Sequence, residues 1–269
     1  MPLSRSLPPS LASIVEDLEL DQPKVVTAEM LAEIVARHRL GTASKVVAAR
    51  LRERGWLLST GTKGVWEFAP GAHAGPYGHG EPTLPLQAAL AARPGLPAAL
   101  SLNTAAWALG YADRVPARLD VAVPPHTRVP KSLAANTNVT TYGPSLDTVN
   151  AKGAPTHRPE SIAVHLASVP TTVRSWSAVL EWLPDLAADL SAERLDLELR
   201  DRPTAVRVRT GYLMSGLRPD LAEPLRADVG GPVRFGPRSA KVRRHDPSWR
   251  VLDALLQVDP AGLREVTPT

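Results

Sequence analysis

The stretch TAEMLAEIVARHRLGTASKVVAARLRERGWLLSTGTKGVWEF, residues 27–68, decides the fold of the N-terminal part of the chain. It opens with Thr27, an N-cap candidate, because a threonine hydroxyl can accept from the free amides of a first helical turn. Apolar residues then recur at the spacing of one helix face, at Met30, Leu31, Ile34 and Val35. We expect this helix to end at the Leu40–Gly41 step, because glycine tolerates the positive φ that follows many helices.

A further helix follows that glycine directly. Thr42 or Ser44 can begin it, and Gly55 marks the point near which it should stop. Its expected inner face consists of Ala43, Val46, Val47 and Leu51. Two short helices joined by a tight turn that contains glycine are typical of a helix-turn-helix.

The end of the stretch predicts a β-hairpin. Trp56–Ser59 and Val65–Phe68 have the composition of strands and flank a loop that contains glycine. Upstream of the stretch, Ser10 can cap a helix that runs to about Leu20 and carries one apolar stripe. A helix, a helix-turn-helix and a hairpin in this order predict a winged helix-turn-helix over residues 1–70.

The basic side chains of this segment indicate its partner. Between residues 37 and 63 there are seven lysine and arginine residues against a single acidic one. On a helical wheel, the side chains that point away from the expected inner face of the last helix are Lys45, Ala48, Ala49 and Arg52. Small residues let a helix backbone approach the base edges of a major groove, while long cations reach guanine or phosphate oxygens.

This pattern predicts a DNA interface. Arg52 is the first choice for a base contact, whereas the end of the preceding helix would lie across the phosphate backbone. The tip of the hairpin would reach neighbouring phosphates or the minor groove. The predicted DNA-binding residues are Arg37, Arg39, Thr42, Ser44, Lys45, Ala48, Arg52, Thr62 and Lys63.

The rest of the chain predicts a second, larger domain. Residues 71–83 are rich in glycine and lack large aliphatic side chains, so we expect a linker there. Residues 84–269 mix helical and strand patterns. The expected helices are Pro85–Ala92, Ser101–Leu109, Ser175–Leu190 with an interruption near Pro184, Pro203–Ser215 and Ser248–Val258, and the expected strands are Arg118–Val123 and Ser161–Leu166. The predicted class is α+β, an N-terminal winged helix-turn-helix with a larger mixed α+β C-terminal domain.

Composition excludes several kinds of chemistry. The chain has no cysteine, which rules out disulfides, thiolate zinc sites, iron–sulfur ligation and a cysteine nucleophile. No run of eighteen apolar residues occurs, so we expect a cytoplasmic protein without a membrane partner. His73 and His79 lie in the linker without an acidic ligand between them. We therefore predict no catalytic residue, no cofactor and no metal site.

Two alternatives compete with a DNA-binding regulator. The acidic run Glu193, Asp196, Glu198 and Asp201 could belong to a metal-dependent nuclease that the winged helix merely targets to DNA. The winged helix could also serve as a protein-interaction module with a solvated basic face. The late basic segment 234–250 is open between a solvated loop and an auxiliary nucleic-acid contact.

Several segments after the winged helix resemble those of a known family. They are LSLNTAAWALGY at residues 100–111, VPARLDVAVP at residues 115–124, RTGYLM at residues 209–214, and Asp246-x-x-Trp249-Arg250-Val251. Together with the winged helix, they are similar to the AbiEi-type antitoxins, transcriptional regulators of bacterial type IV toxin–antitoxin systems.

The resemblance implies a function for each half of the chain. It implies a repressor that binds double-stranded DNA at its own promoter, as a possible homodimer on that DNA. It also implies a cognate nucleotidyltransferase-like toxin as a partner. By position it assigns the DNA contacts to Ser44, Lys45, Arg52 and Lys63, and it assigns the antitoxin role to the second domain as a whole.

Overall fold

The computed structural model describes residues 7–71, 80–143, 145–227 and 229–263, and it confirms the mixed α+β class. The chain divides into two compact units. The first comprises Met1–Ala98 and Thr127–Asn138, and the second comprises Ala99–His126 and Val139–Thr269. None of the described helices has both the length and the hydropathy needed to cross a membrane.

The first unit begins with three helices and a hairpin in the order that the sequence predicts. Its elements are α1 (Pro9–Asp21), β1 (Val25–Thr27), α2 (Ala28–Arg37), α3 (Ser44–Glu53), β2 (Leu57–Ser59) and β3 (Val65–Phe68). The strands form an antiparallel sheet in the order β1-β3-β2, with Val26 opposite Trp66 and Leu58 opposite Glu67. The sequence did not predict β1, because three residues that pair with a distant strand carry no local periodicity. We call these six elements the N-terminal segment.

The interior of the N-terminal segment corrects the predicted orientation of α3. Side chains from α1, α2, α3 and the hairpin form one apolar cluster that includes Leu18, Leu31, Val47, Ala48, Leu51 and Phe68. Ala48, predicted to face DNA, is only 4% exposed, so that assignment was wrong. Val46, predicted to face inward, is 43% exposed. Successive helical residues differ by about 100° in direction, and the buried stripe runs through 47, 48 and 51.

The two helices of the turn end in the same way with different residues. Both show the pattern in which two amides beyond the helix donate back to its last turn. In α3 the left-handed residue is Gly55, with a φ of 71°, as expected. In α2 it is Arg39, with a φ of 51°, and not Gly41 as predicted. The hydrogen bonds from Arg39 N to Ala36 O and from Leu40 N to Val35 O close the α2 end at 3.0 and 3.2 Å.

The first unit extends beyond the predicted boundary at residue 83. It also contains α4 (Leu84–Ala92) and α6 (Lys131–Asn136), whose side chains Leu86 and Leu133 are fully buried. Helix α4 packs against β1 and β3, and α6 packs against α4. A glycine-rich composition predicts a loop, but it does not show whether the helix after the loop packs against the elements before it. The sequence therefore could not reveal that α4 and α6 belong to the first unit.

With the exception of two strand residues, the second unit holds the remaining elements. They are β4 (Ala99–Leu100), α5 (Leu102–Leu109), β5 (Leu119–Val123), β6 (Thr137–Thr141), β7 (Val149–Ala151), β8 (Ala154–Thr156), α7 (Pro159–Ser168), α8 (Trp176–Ala188), α9 (Ala192–Leu199), α10 (Thr204–Met214), α11 (Pro219–Ala222), β9 (Val233–Phe235), β10 (Arg244–Asp246) and β11 (Val251–Asp253). The first two residues of β6, Thr137 and Asn138, belong to the first unit. Short 3₁₀ helices span Glu223–Leu225 and Pro260–Gly262. The strands form a five-stranded sheet in the order β6-β5-β4-β8-β7 and a three-stranded sheet in the order β10-β11-β9.

The second unit is built around α7, and this helix corrects a prediction. Ser161–Leu166 was expected to be a strand, yet it lies within α7. Every residue from Glu160 to Ala167 is buried, and a segment buried on all sides shows no alternation that distinguishes helix from strand. The α7 surface packs against α5, α9 and α10.

Two further segments of the second unit differ from expectation. Helix α8 runs without interruption and contains Pro184 in its interior. The buried side chains Trp182, Leu183 and Leu186 hold this helix in place despite the amide that proline lacks. Ser248–Val258, predicted to be a helix, instead contains β11, which lies between β9 and β10. Pairing with two distant strands thus overrides the local helical pattern.

Candidate nucleic-acid interface

The exposed side of α3 is the main feature of the candidate interface. Because 47, 48 and 51 are buried, the exposed side chains of this helix are Lys45, Val46, Ala49, Arg50, Arg52 and Glu53. Within the residues that the structure describes, neither Lys45 nor Arg52 forms a salt bridge. Ala49, Val46 and Glu53 lie on this face as well, and Ala49 has the smallest side chain among its residues. We call this surface the α3 face.

The predicted DNA-binding residues before and at the start of α3 differ in their exposure and in their ion pairs. Arg37 Nη1 and His38 Nε2 both contact Asp17 Oδ2 of α1, each at 2.9 Å. An exposed pair of this kind is weak, so Arg37 can still exchange Asp17 for another anion. Arg39 is exposed, whereas Thr42 and Ser44 are half-buried in the turn and at the first position of α3.

The hairpin loop presents one exposed cation. Lys63 is exposed between Gly61 and Gly64, whose φ values are 76° and 75°. The Thr60 hydroxyl donates to Val65 O at 2.8 Å and closes the loop. Thr62 is half-buried, and its hydroxyl donates to Ser132 Oγ at 3.0 Å. Lys63 is therefore exposed, whereas its neighbour Thr62 contacts Ser132.

The acidic run does not form a metal site among the described residues. Glu198 is buried, and its carboxylate accepts from Tyr142 OH, from Ser161 Oγ at 2.7 Å and from Leu146 N at 2.8 Å, and it pairs with Arg202 Nη2 at 2.9 Å. These four donors occupy its lone pairs. In the part of the chain that the structure describes, no group of three or more His, Asp or Glu side chains could hold a metal ion. His73 and His79 lie outside the described residues.

Sequence reasoning missed a buried aromatic and cationic stack in the second unit. The Tyr142 ring lies 4.1 Å from the His165 ring and 4.1 Å from the guanidinium carbon of Arg202. His157 lies beside both rings, at 5.3 Å from Tyr142 and 5.7 Å from His165. Burial lowers the pKa of His157 to about 4 and holds the pKa of His165 well below its usual value. No local pattern links residues so far apart, so the sequence offered no signal for this stack.

The late basic segment, residues 234–250, contains cations that are bonded within the protein and cations that are exposed. The Arg234 guanidinium donates to Pro237 O at 2.7 Å and also contacts Ala240 O, and Arg244 pairs with Asp253 at 3.4 Å. Arg238, Lys241 and Arg243 are exposed. The segment thus contains residues of the strands β9 and β10 and, between these strands, a loop that carries the exposed cations.

Comparison with known proteins gives the chain its relatives. The family model described as AbiEi antitoxin C-terminal domain matches residues 98–216. The crystal structure of the RV2827C protein from Mycobacterium tuberculosis is similar, at 31% sequence identity and a TM-score of 0.81. The similarity covers 94% of this chain and 94% of that chain. No curated protein sequence matches the chain.

Proposed function

Because the chain belongs to the AbiEi antitoxin family, we propose that it is a sequence-specific DNA-binding repressor that acts on its own toxin–antitoxin operon. One observation carries the DNA-binding part of this proposal. The α3 face combines exposed, unbridged Lys45 and Arg52 with the small side chain of Ala49. A helix of a helix-turn-helix needs such a surface to enter a major groove.

The charge of the α3 face supports the same proposal. Three cations, Lys45, Arg50 and Arg52, are exposed on this face against one acidic residue, Glu53. Lys63 adds a cation at the hairpin loop. We propose that Lys45 and Arg52 meet base edges or phosphates and that Lys63 meets a phosphate, with more than one copy of the chain binding repeated half-sites.

The DNA-binding proposal is tested with charge-matched variants. The double variant Lys45→Ala with Arg52→Ala should weaken binding to the upstream operator fragment by at least tenfold, because a base contact through arginine contributes about 1 to 3 kcal/mol. The control Arg194→Ala with Arg200→Ala removes the same charge from exposed positions at α9. Equal losses in both double variants would mean that only net charge matters.

We further propose that the second unit neutralises a nucleotidyltransferase-type toxin. The family match over residues 98–216 supports an antitoxin role and does not itself identify the toxin. Co-expression with the neighbouring toxin gene tests this directly. The Lys45→Ala and Arg52→Ala double variant should still protect cells, since the two activities belong to different parts of the chain, while promoter repression is lost.

The nuclease alternative receives no support from the described acidic residues. A catalytic Mg²⁺ needs carboxylate oxygens that are free to coordinate, and Glu198 uses its oxygens on four protein donors. Glu193 and Asp196 are exposed on α9. We therefore propose a regulatory rather than an enzymatic role.

A further inference from the structure

Helix α6 lies against the hairpin loop of the N-terminal segment, although the contacting residues Thr62 and Ser132 are 70 positions apart in the sequence. We propose that α6 is a brace that fixes the loop for contact with DNA, with Ser132 as its positioning residue. This inference deepens the proposed function and rests on it. Both partners, residues 60–64 and 131–136, belong to the first unit.

The contact between loop and helix is specific. Thr62 Oγ1 donates to Ser132 Oγ at 3.0 Å. A Cβ placed on Gly61 would lie 3.9 Å from Asn136 Nδ2, and this amide nitrogen donates to Ser132 O at 2.8 Å. Positions 132 and 136 are one helical turn apart, so the loop rests on a single side of α6.

The brace is anchored to the body of the first unit. Leu133 is fully buried, and the Thr137 hydroxyl closes the end of α6 by donating to Leu133 O at 2.8 Å. Helix α6 packs on α4, which in turn packs on β1 and β3. Arg93, at the end of α4, donates from Nη1 to Arg128 O at 2.8 Å, just before α6. A continuous set of contacts thus runs from the hairpin strands through α4 and α6 back to the hairpin loop.

The loop needs such support because of its composition. Gly61 and Gly64 both adopt positive φ, and glycine gives an unbound loop many alternative conformations. A loop that is already ordered loses less entropy when DNA binds, which improves affinity without a new contact. The Thr62–Ser132 hydrogen bond orders the residue that precedes Lys63. The backbone of Lys63 then samples fewer conformations before DNA binds.

Amide hydrogen exchange of the DNA-free protein tests the brace itself. Ser132→Ala should speed exchange of the amides of residues 60–64 by about threefold to tenfold, because the loop loses one hydrogen bond to α6. Ser132→Thr keeps the hydroxyl and should restore protection. Ser13→Ala, a half-buried serine on α1, is the matched control and should leave the loop unchanged. Unchanged exchange in Ser132→Ala would overturn the brace.

DNA binding tests what the brace is for. Ser132→Ala should weaken operator affinity by about threefold to tenfold, and Ser132→Thr, which keeps the hydroxyl, should restore it. Faster exchange with unchanged operator affinity would overturn the role of the brace in DNA binding. If the wild-type chain shows no specific DNA binding, the proposed function fails, whereas the exchange experiment still decides whether α6 orders the loop.

Discussion

Gly211 shows how one residue links two sequence segments in the second unit. A Cβ on Gly211 would lie 2.6 Å from Cη2 of Trp249 and 3.1 Å from Cβ of Leu225. Its neighbour Tyr212 is fully buried and donates to Asp253 Oδ2 at 2.9 Å. The sequence identified both the glycine–tyrosine segment and the tryptophan segment. It could not show that they pack on each other, because their contact is a property of the folded chain.

We therefore predict that Gly211→Ala destabilises the protein. Overpacking against a buried indole should lower the free energy of unfolding by about 1 to 3 kcal/mol, measured by urea denaturation. Gly95→Ala is the matched control, since no atom lies within 4 Å of a Cβ placed there. An equal loss of stability in both variants would contradict the steric account.

The buried histidines make stability depend on pH. Burial lowers the folded-state pKa of His157 to about 4, although Glu198 opposes the shift, and burial also lowers the pKa of His165. In the unfolded chain a histidine titrates near pH 6.5. The stabilising effect of neutral His157 is therefore complete above pH 6.5 and is lost as the pH falls towards 4.

We predict that acidification from pH 6.5 to 4 costs about 3 kcal/mol of stability through His157, with His165 acting in the same direction. The free energy of unfolding should fall less steeply in His157→Phe than in the wild type. Replacing the exposed His245 by Gln should leave the slope as it is. Parallel curves for the wild type and His157→Phe would rule out this origin of the pH dependence.

At the scale of elements, the ends of α2 and α3 can be compared directly. Both close with the same pair of backbone hydrogen bonds, and the left-handed position is occupied by Arg39 in one helix and Gly55 in the other. A left-handed conformation costs a residue with a side chain about 1 to 2 kcal/mol. The first unit therefore retains a strained arginine beside the α3 face.

This comparison predicts opposite effects of two substitutions. Gly55→Ala should lower the free energy of unfolding by about 1 to 2 kcal/mol. Arg39→Gly should raise it by up to about 1 kcal/mol, since the glycine relieves strain but frees the unfolded chain. Arg39 is also one of the predicted DNA-binding residues, so we expect the operator affinity of Arg39→Gly to fall while its stability rises. A stability loss in Arg39→Gly would contradict the strain at this position.

Elements were predictable where burial is one-sided. The apolar stripes of α1 and α2 appear in the sequence, because one face is buried and the other exposed, and the glycine that ends α3 appears because its position requires a positive φ. Helix α7 and strand β11 were missed for the opposite reason. Helix α7 is buried all round, and β11 is fixed by pairing with β9 and β10 rather than by its own pattern.

At the scale of the whole molecule, the bounds of the two compact units could not be predicted from the sequence. The chain leaves the first unit after Ala98, returns to it from Thr127 to Asn138, and leaves it again. Composition along the chain cannot show such a return, because it depends on which helix packs against which sheet. The cations of the α3 face were found from the sequence, whereas the rotation that buries Ala48 and the contact between Ser132 and Thr62 needed three dimensions.

The most direct test of the central claim is a titration of the full chain against a labelled fragment of its own upstream DNA, with excess unrelated competitor, over a series of salt concentrations. We predict specific binding that survives the competitor and weakens as salt rises, because released counterions drive part of the affinity. In a plot of log affinity against log salt concentration, Lys63→Ala should make the slope shallower by about one, which corresponds to one released ion fewer. Binding that unrelated DNA removes as readily as operator DNA would contradict the account.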